Sequence, residues 1–251
     1  MENQDKRLNK YISETGFCSR RMADQLIEEQ RVTINGQVPA LGTRVKPTDV
    51  VCVDGQLIRP ATEQWVYIAF NKPRGITCTT ELDIKDNIIQ YINHPQRIFP
   101  IGRLDKPSEG LIFLTNDGDI VNKILRAGNQ HEKEYFVTVD KPVTADFIQK
   151  MRKGVPILDT VTQPCYAEQV DKFEFKIILT QGLNRQIRRM CQFLGYEVKK
   201  LKRTRIMHVT LKGLATGQWR NLTEQELALI HEKVKTSSKT EEASFLQSEI
   251  E

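Results

Sequence analysis

The stretch FPIGRLDKPSEGLIFLT at 99–115 decides how the rest of the sequence is interpreted. Gly102, Pro107 and Gly110 indicate an irregular loop, and the apolar run that follows indicates a buried strand. A loop anchored to such a strand holds its side chains at the edge of a core, where functional groups are often found. Asp105 is the central carboxylate of this loop. Asp before Lys-Pro is also typical of an ordinary turn, so the loop by itself leaves both interpretations open.

Beyond this stretch, strands and helices intermix without a regular strand–helix–strand repeat. Short apolar or alternating patterns predict strands at residues 65–70, 111–114, 135–139 and 173–179. A helix capped by Asn184 is predicted from the helical spacing of Ile187, Met190, Cys191 and Leu194. Thr223 and Glu226 have the capping-box spacing that begins another helix. The mixture favours an α+β domain with a mixed, largely antiparallel sheet flanked by helices.

The first sixty residues have the pattern of a small separate domain. Two short helices come first, and Ser19 is placed to cap the second, whose apolar face is Met22, Ala23, Leu26 and Ile27. A strand then runs into an Asn35-Gly36 turn. We therefore divide the chain into an N-terminal domain at 1–59, a linker at 60–64, a large domain at 65–233, and a polar tail at 234–251 that is expected to be disordered.

The positive charge is concentrated in one segment. The 251 residues carry a net charge of +5, whereas residues 181–212 alone hold nine Lys or Arg and one acid, Glu197. A basic segment on a nearly neutral body is typical of a surface that tracks a polyanion. An ordinary solvated basic face has the same composition, and charge alone does not separate the two.

Several classes of protein are disfavoured by what the sequence lacks. No apolar stretch approaches the about 20 residues of a membrane span, and the charged N-terminus does not resemble a signal peptide, so we expect a cytoplasmic protein. The five cysteines form no CxxC pair and the four histidines are scattered, which disfavours disulfides and a metal site. No phosphate-binding or dinucleotide-binding glycine motif is present, so no cofactor is expected.

The N-terminal pattern resembles a known RNA-binding module. The segment RLNKYISETGFCSRRMADQLIEEQRVTINGQ at 7–37 is similar to the two helices and strand of the S4 domain. In that family Arg20 and Arg21 lie on the RNA face. The alternative is that both are ordinary solvated arginines.

The large domain resembles the RNA pseudouridine synthases in five segments that occur in the family's order. GRLDKPSEGLIFLTNDGD at 102–119 resembles the family's catalytic signature, and the other four are NKPRGIT at 71–77, KEYFVTVDKP at 133–142, QGLNRQIRRMCQFLGYEVKKLKRTRI at 181–206 and GQWRNLT at 217–223. Together with the S4 domain they indicate the RsuA branch of the family. Within that branch, NKILRAGNQHEKEY at 122–135 and RTRIMHVTL at 203–211 resemble the RluF type, which acts on large-subunit ribosomal RNA. Met207-His208 stands where most of the branch has Gly-Pro, a departure that is expected to change RNA contacts near the site.

The resemblance implies a role for each site residue. Asp105 is the catalytic carboxylate, Arg185 its ionic partner, and Tyr135 stacks on the uracil and exchanges a proton. Leu201 packs on the other face of the base, and Arg103 fills the space that a flipped nucleotide leaves. Phosphate contacts are expected from Arg188, Arg189, Lys199, Lys202 and Arg203. The alternative is that Tyr135 and Leu201 are ordinary core residues and that the arginines are ordinary surface residues.

The implied partner is 23S ribosomal RNA or its assembly precursor, with a transfer RNA as an alternative second substrate. Small-subunit ribosomal RNA, a non-catalytic assembly factor of the S4 type and a glycosidase-like hydrolase remain open. A hydrolase normally needs two carboxylates, and only Asp105 has a claim to that role. We expect a monomer that needs no metal or cofactor.

Overall fold

The computed structural model describes residues 5–59, 65–125 and 130–235. The chain divides into two compact units, Met1–Trp65 and Val66–Glu251, each with its own apolar core. The predicted linker at 60–64 lies outside the described residues, and so does the predicted tail from residue 236. Val234, which the sequence analysis assigned to that tail, is instead a buried residue of the last helix.

The N-terminal unit has two helices and short strands around one core. Its elements are β1 (Lys6–Arg7), α1 (Leu8–Glu14), α2 (Arg20–Glu28), β2 (Val32–Ile34), β3 (Arg44–Val45), β4 (Val51–Val53) and β5 (Gln56–Ile58). The predicted cap is confirmed, because the Met22 backbone N–H donates to Ser19 Oγ at 3.1 Å. The predicted burial of Met22 is wrong, since this side chain is 46% exposed at the edge of the apolar stripe.

The described residues of the large unit form sixteen helices and strands. In chain order they are β6 (Tyr67–Lys72), α3 (Ile88–Ile92), β7 (Phe99–Ile101), β8 (Glu109–Thr115), α4 (Gly118–Leu125), β9 (Lys133–Val139), α5 (Ala145–Lys153), β10 (Pro156–Ile157), β11 (Thr160–Val161), β12 (Tyr166–Asp171), β13 (Glu174–Leu179), α6 (Gln186–Phe193), β14 (Val198–Ile206), β15 (Val209–Thr210), β16 (Trp219–Asn221) and α7 (Glu224–Lys235).

One large sheet organises this unit. Its strand order is β12-β13-β9-β14-β8-β6-β16, with β7 paired to β8 and β15 paired to β14. Only the pairing of β14 with β8 is parallel among the described strands, which confirms a mixed and largely antiparallel sheet. Trp65 was predicted to begin a buried strand, but β6 begins at Tyr67 and Trp65 is exposed.

Alternation along the strands gives the sheet two apolar faces, and helices cover both. In β8, Ile112 and Leu114 belong to the core that α3, α5 and α6 cover, whereas Leu111 and Phe113 belong to the core that α4 and α7 cover. The sheet is therefore a middle layer between helices. None of the described helices has the length and apolar character that a membrane crossing requires.

The predicted capping box at the start of α7 is confirmed. Glu226 accepts a hydrogen bond from the Thr223 backbone N–H at 2.9 Å, and the Glu226 N–H donates to Thr223 Oγ1 at 3.2 Å. Arg220 donates two further hydrogen bonds of 2.7 Å to the same carboxylate. Chiefly through the Arg220 bonds, the pKa of Glu226 falls from 4.5 to about 2.

We predict that this carboxylate stabilises the fold above its unfolded pKa. Because the folded pKa is the lower one, the stabilisation is present above about pH 4.5 and is lost as the pH falls toward 2. Urea unfolding of wild type and Glu226→Gln should therefore differ clearly at pH 6 and progressively less below pH 4.5. Glu224→Gln, on the exposed side of the same first turn, is the control and should show no such convergence.

Candidate active site

A cavity of about 420 Å³ opens beside the loop at 102–108. Its wall combines this loop with side chains from β9 and β14 and with the start of α6. Five basic residues line it, namely Arg103, Lys133, Arg185, Arg188 and Arg203. Asp105 is the only carboxylate among the described lining residues, so the cavity is a cationic pocket around one acid.

The Asp105 loop is anchored on both sides of the carboxylate. Leu104 before it is 6% exposed and its N–H donates to the buried Cys78 Sγ. After it, the Asp105 carbonyl accepts from the Ser108 N–H at 2.9 Å, and the Lys106 carbonyl accepts from Gly75 at 2.8 Å. The loop is therefore a fixed turn, and it presents a carboxylate that stays 32% exposed.

Gly110 allows β8, the strand after the Asp105 loop, to lie close to β14. It has φ +110°, and a Cβ atom there would lie 2.2 Å from the Arg203 carbonyl oxygen. Only glycine permits both this conformation and this approach. The parallel pairing of β8 with β14 at Gly110 and Arg203 depends on it, and so β14 contributes side chains to the same cavity as the loop.

Two arginines face Asp105, and the nearer is not the one that the sequence favoured. Arg188 Nε lies 3.4 Å from Asp105 Oδ2, whereas Arg185 Nη1 lies 3.7 Å from it. The Arg188 side chain is only 14% exposed and also donates to Ser108 Oγ at 3.0 Å, but Arg185 is 49% exposed. Burial lowers the pKa of Arg188, although Asp105 opposes the shift. Arg188 is thus the inner partner and Arg185 the outer one.

The conformation at the start of α6 differs from the predicted one and places Arg185 outside Arg188. The predicted Asn184 cap is wrong, because Arg185 is the N-cap residue, in a left-handed conformation with φ +49°. Asn184 instead accepts hydrogen bonds from the Arg189 side chain through both of its oxygens. Arg189 is therefore committed to the loop before α6, and the phosphate role predicted for Arg188 does not fit its inward position.

Tyr135 and Leu201 share the cavity with Asp105. Both line the cavity and both are buried, at 9% and 6% exposure. Arg203, two residues after Leu201, pairs with Tyr135 across the sheet, and its guanidinium lies 5.9 Å from the Tyr135 ring centroid. Arg203 is only 4% exposed, and this burial does not favour the predicted contact with phosphates around the site.

The remaining predicted residues lie at the rim of the cavity or outside it. Arg103 is exposed at the rim of the cavity, Lys199 is exposed and pairs with Glu197, and Lys202 is half-buried. Arg20 and Arg21 are exposed on α2 of the N-terminal unit. No cluster of three potential metal-ligating side chains occurs among the described residues.

Lys133 and Ser108 are site residues that the sequence analysis missed. Ser108 is buried and positions Arg188, and Lys133 is a buried lysine on the cavity wall. The signal for Lys133 was present, because residues two apart in a strand share a face and Tyr135 follows in the same strand.

Comparison with known proteins decides the family. A family model described as RNA pseudouridylate synthase matches residues 66–193, and an S4 domain model matches residues 6–51. The chain belongs to the RNA pseudouridylate synthase family. The synthase is therefore an isomerase that acts on uridine in RNA, and the predicted two-domain resemblance is confirmed.

Similar proteins agree with this assignment. The dual-specificity RNA pseudouridine synthase RluF of Escherichia coli (strain K12) is 60% identical over 233 residues, which cover 92% of the synthase and 80% of RluF. The ribosomal large subunit pseudouridine synthase B of Bacillus subtilis (strain 168) is 36% identical, covering 88% and 94%. A crystal structure of a pseudouridylate synthase superimposes with a TM-score of 0.66 at 28% identity, covering 90% and 99%.

We predict that Arg188 contributes more to turnover than Arg185. Arg188→Ala removes the nearer, less exposed partner of Asp105 and should slow single-turnover pseudouridine formation by roughly 10- to 100-fold, because it removes a close and partly buried ion-pair contact to the carboxylate. Arg188→Lys should recover part of the rate because it keeps the charge. A larger loss for Arg185→Ala than for Arg188→Ala, with both variants folded, would reverse the order of the two partners.

Proposed function

We propose that this synthase converts a uridine in 23S ribosomal RNA to pseudouridine with Asp105 as its catalytic carboxylate. The observation that carries the proposal is a single carboxylate, held by Arg188 and Arg185, in a cavity that Tyr135 and Leu201 also line. The ribosomal target is supported by a relative whose name is ribosomal large subunit pseudouridine synthase B.

The reaction requires a group that acts on the sugar. The N1–C1′ bond of the nucleoside breaks, the base turns, and a new bond joins C5 to C1′. Asp105 either adds to C1′ or stabilises the positive charge that develops on the sugar. Both routes need an ionised and well-oriented carboxylate, which the two arginines provide by pairing with it.

The other cavity residues hold the base. The target nucleotide must leave its stack, at a cost of a few kcal/mol, before C1′ is accessible. Tyr135 then stacks on the uracil and exchanges a proton with it or with the sugar, while Leu201 contacts the other face. Arg103, exposed at the rim beside the loop, occupies the place in the RNA that the flipped nucleotide leaves.

RNA is held by cations outside the cavity. Lys199, Lys200 and Lys202 lie at the exposed start of β14, and Arg20 and Arg21 are exposed on α2 of the S4 unit. Such contacts position RNA without specifying its sequence. Arg188 and Arg203 are excluded from this group by their burial.

The name of one relative supports more than one substrate. Relatives that are 60% identical are called dual-specificity enzymes, which supports two RNA targets for this chain, and a transfer RNA is our prediction for the second. A small-subunit ribosomal target is the alternative within the same branch. Cytoplasmic localisation and a monomeric state are likewise our expectations.

We predict that Asp105→Asn abolishes pseudouridine formation while RNA affinity is retained. The amide is nearly isosteric, so the anchored loop should survive, but it can neither add to C1′ nor stabilise a cation. Single-turnover product formation and RNA binding are measured beside wild type. Asp86→Asn, an exposed carboxylate that pairs with Lys106, is the matched control and should remain active.

Three results would contradict the assignment in different ways. Appreciable pseudouridine from Asp105→Asn would remove the catalytic role, and lost RNA binding by the folded variant would make Asp105 part of the RNA site. Free uracil from wild type would indicate a hydrolase, and tight binding without turnover an assembly factor.

RNA affinity should depend strongly on salt because bound phosphates release counterions. Replacing Lys199 and Lys200 together with Ala should weaken binding and flatten the plot of log K against log salt by about 0.7 per lost phosphate contact. Lys150 and Lys153 on α5 form the control pair. Equal slopes for the two double variants would mean that the start of β14 is only a solvated basic face.

A further inference from the structure

Lys133 is a buried ammonium group on the cavity wall that the roles above leave unused. It is 6% exposed, begins β9 and lies on the same strand face as Tyr135. Its Nζ donates to the carbonyl oxygens of His131 at 3.3 Å and Thr180 at 3.4 Å, both long hydrogen bonds. An ammonium group has three donors, and the described residues offer the third no hydrogen-bond acceptor.

Arg203 is a second buried cation with an unmet hydrogen-bond donor. Its Nε donates to the Leu111 carbonyl at 2.6 Å, but its buried Nη2 has no hydrogen-bond partner among the described residues. Arg203 is 4% exposed and also lines the cavity. Unlike Arg188 and Arg185, neither Lys133 nor Arg203 has a carboxylate within ion-pair distance among the described residues.

Burying Lys133 and Arg203 with unmet hydrogen-bond donors costs free energy unless a bound group supplies the missing acceptors. Burial and, less strongly, the charge of Arg203 lower the pKa of Lys133 to about 8. Buried cations are normally paired, and an unmet donor in a low-dielectric site carries a desolvation penalty. Two such cations facing one cavity are therefore suited to oxygen acceptors or negative charge supplied by the substrate.

We propose that Lys133 and Arg203 bind the carbonyl oxygens of the uracil and stabilise the negative charge that the base carries after its bond to the sugar breaks. This inference rests on the proposal that the target uracil occupies this cavity. When the N1–C1′ bond breaks, its electron pair goes to N1 and is delocalised over O2 and O4. The ammonium keeps its proton and only donates a hydrogen bond. When C5 attacks, an electron pair of the base forms the C5–C1′ bond. The hydrogen on C5 then leaves as a proton and N1 takes up a proton, so the isomerisation has no net change in protons.

Burial favours the base over a phosphate as the group that these cations bind. The phosphates of a flipped nucleotide remain connected to the RNA backbone, and the exposed Arg103 and Arg185 at the rim are placed for them. Lys133 and Arg203 lie instead beside the buried Tyr135 and Leu201, which contact the base. Asp105 would then act on the sugar and the two cations on the detached base.

Lys133→Met tests the proposal because it keeps the length of the side chain and removes the charge. The rate of single-turnover pseudouridine formation at saturating enzyme should fall on the order of 10²-fold, as when one donor to a developing anion is removed. RNA affinity should be unchanged. Lys153→Met removes an exposed lysine of α5 and controls for the loss of one positive charge. A loss of affinity with a normal saturated rate would assign Lys133 to phosphate binding and overturn the proposal.

The pH profile separates this role from a structural one. A charged Lys133 is required, so the wild-type rate should fall as the pH rises through about 8, and Lys133→Arg should keep its rate to higher pH. The charged or titratable groups near Lys133 are Arg203 on β14, Tyr135 on β9, His131 before β9, and Asp105 with Arg188 across the cavity. A rate that rises through pH 8 would indicate a neutral amine acting as a base. If the rate of Lys133→Arg falls at the same pH as the rate of wild type, Lys133 has a structural role. Either result overturns the proposal.

Sulfur substitution in the RNA tests the same contact without depending on the variant's folding. Sulfur accepts hydrogen bonds weakly, so RNA with 2-thiouridine or 4-thiouridine at the target should react more slowly with wild type at one of the two positions. That sulfur effect should disappear in Lys133→Met. Full wild-type reactivity with both thio-substrates would overturn the proposal. Asp105→Asn is assayed in parallel, so that a failure of the proposed catalytic carboxylate is recognised separately.

Discussion

The parallel contact between β8 and β14 is the constraint on which the cavity depends. At Gly110 the two backbones lie so close that a Cβ atom would collide with the Arg203 carbonyl. The Asp105 loop leads directly into β8, and β14 carries Leu201 and Arg203. On its other side β14 pairs with β9, so that Tyr135 lies opposite Arg203. Three strands in a defined register therefore bring Asp105, Tyr135, Leu201 and Arg203 to one place.

The charge balance of the cavity suits a reaction that separates charge and then recombines it. One carboxylate stands among five basic side chains, and two of these pair with it. In the proposed reaction, breaking the bond between base and sugar leaves positive charge on the sugar, which Asp105 either stabilises or captures, and negative charge on the base. A carboxylate would stabilise the charge on the sugar, and buried hydrogen-bond donors would stabilise the charge on the base. Because these groups are already in place, little reorganisation is needed during the reaction.

The errors of the sequence analysis concern which basic residues are exposed. Arg188 and Arg203 were assigned to a phosphate-binding face because they lie in a segment of net charge +8, and both are turned inward. For Arg203 a local signal existed, since it follows Leu201 by two residues in a strand. For Arg188 it did not, because the residue lies at the border of the apolar stripe of α6.

The sequence by itself determined the fold class, the S4 unit, the Asp105 loop, the capped α2 and α7, and the family, because these depend on local periodicity, turn residues and contiguous motifs. The tertiary structure alone decided which arginine is nearest to Asp105, which cations are buried without a counter-ion, and which residues share the cavity. Those properties depend on distances between strands and helices that are far apart in the chain. A lysine or arginine has the same local pattern whether its charge faces solvent or a substrate, and only the packing around it separates the two.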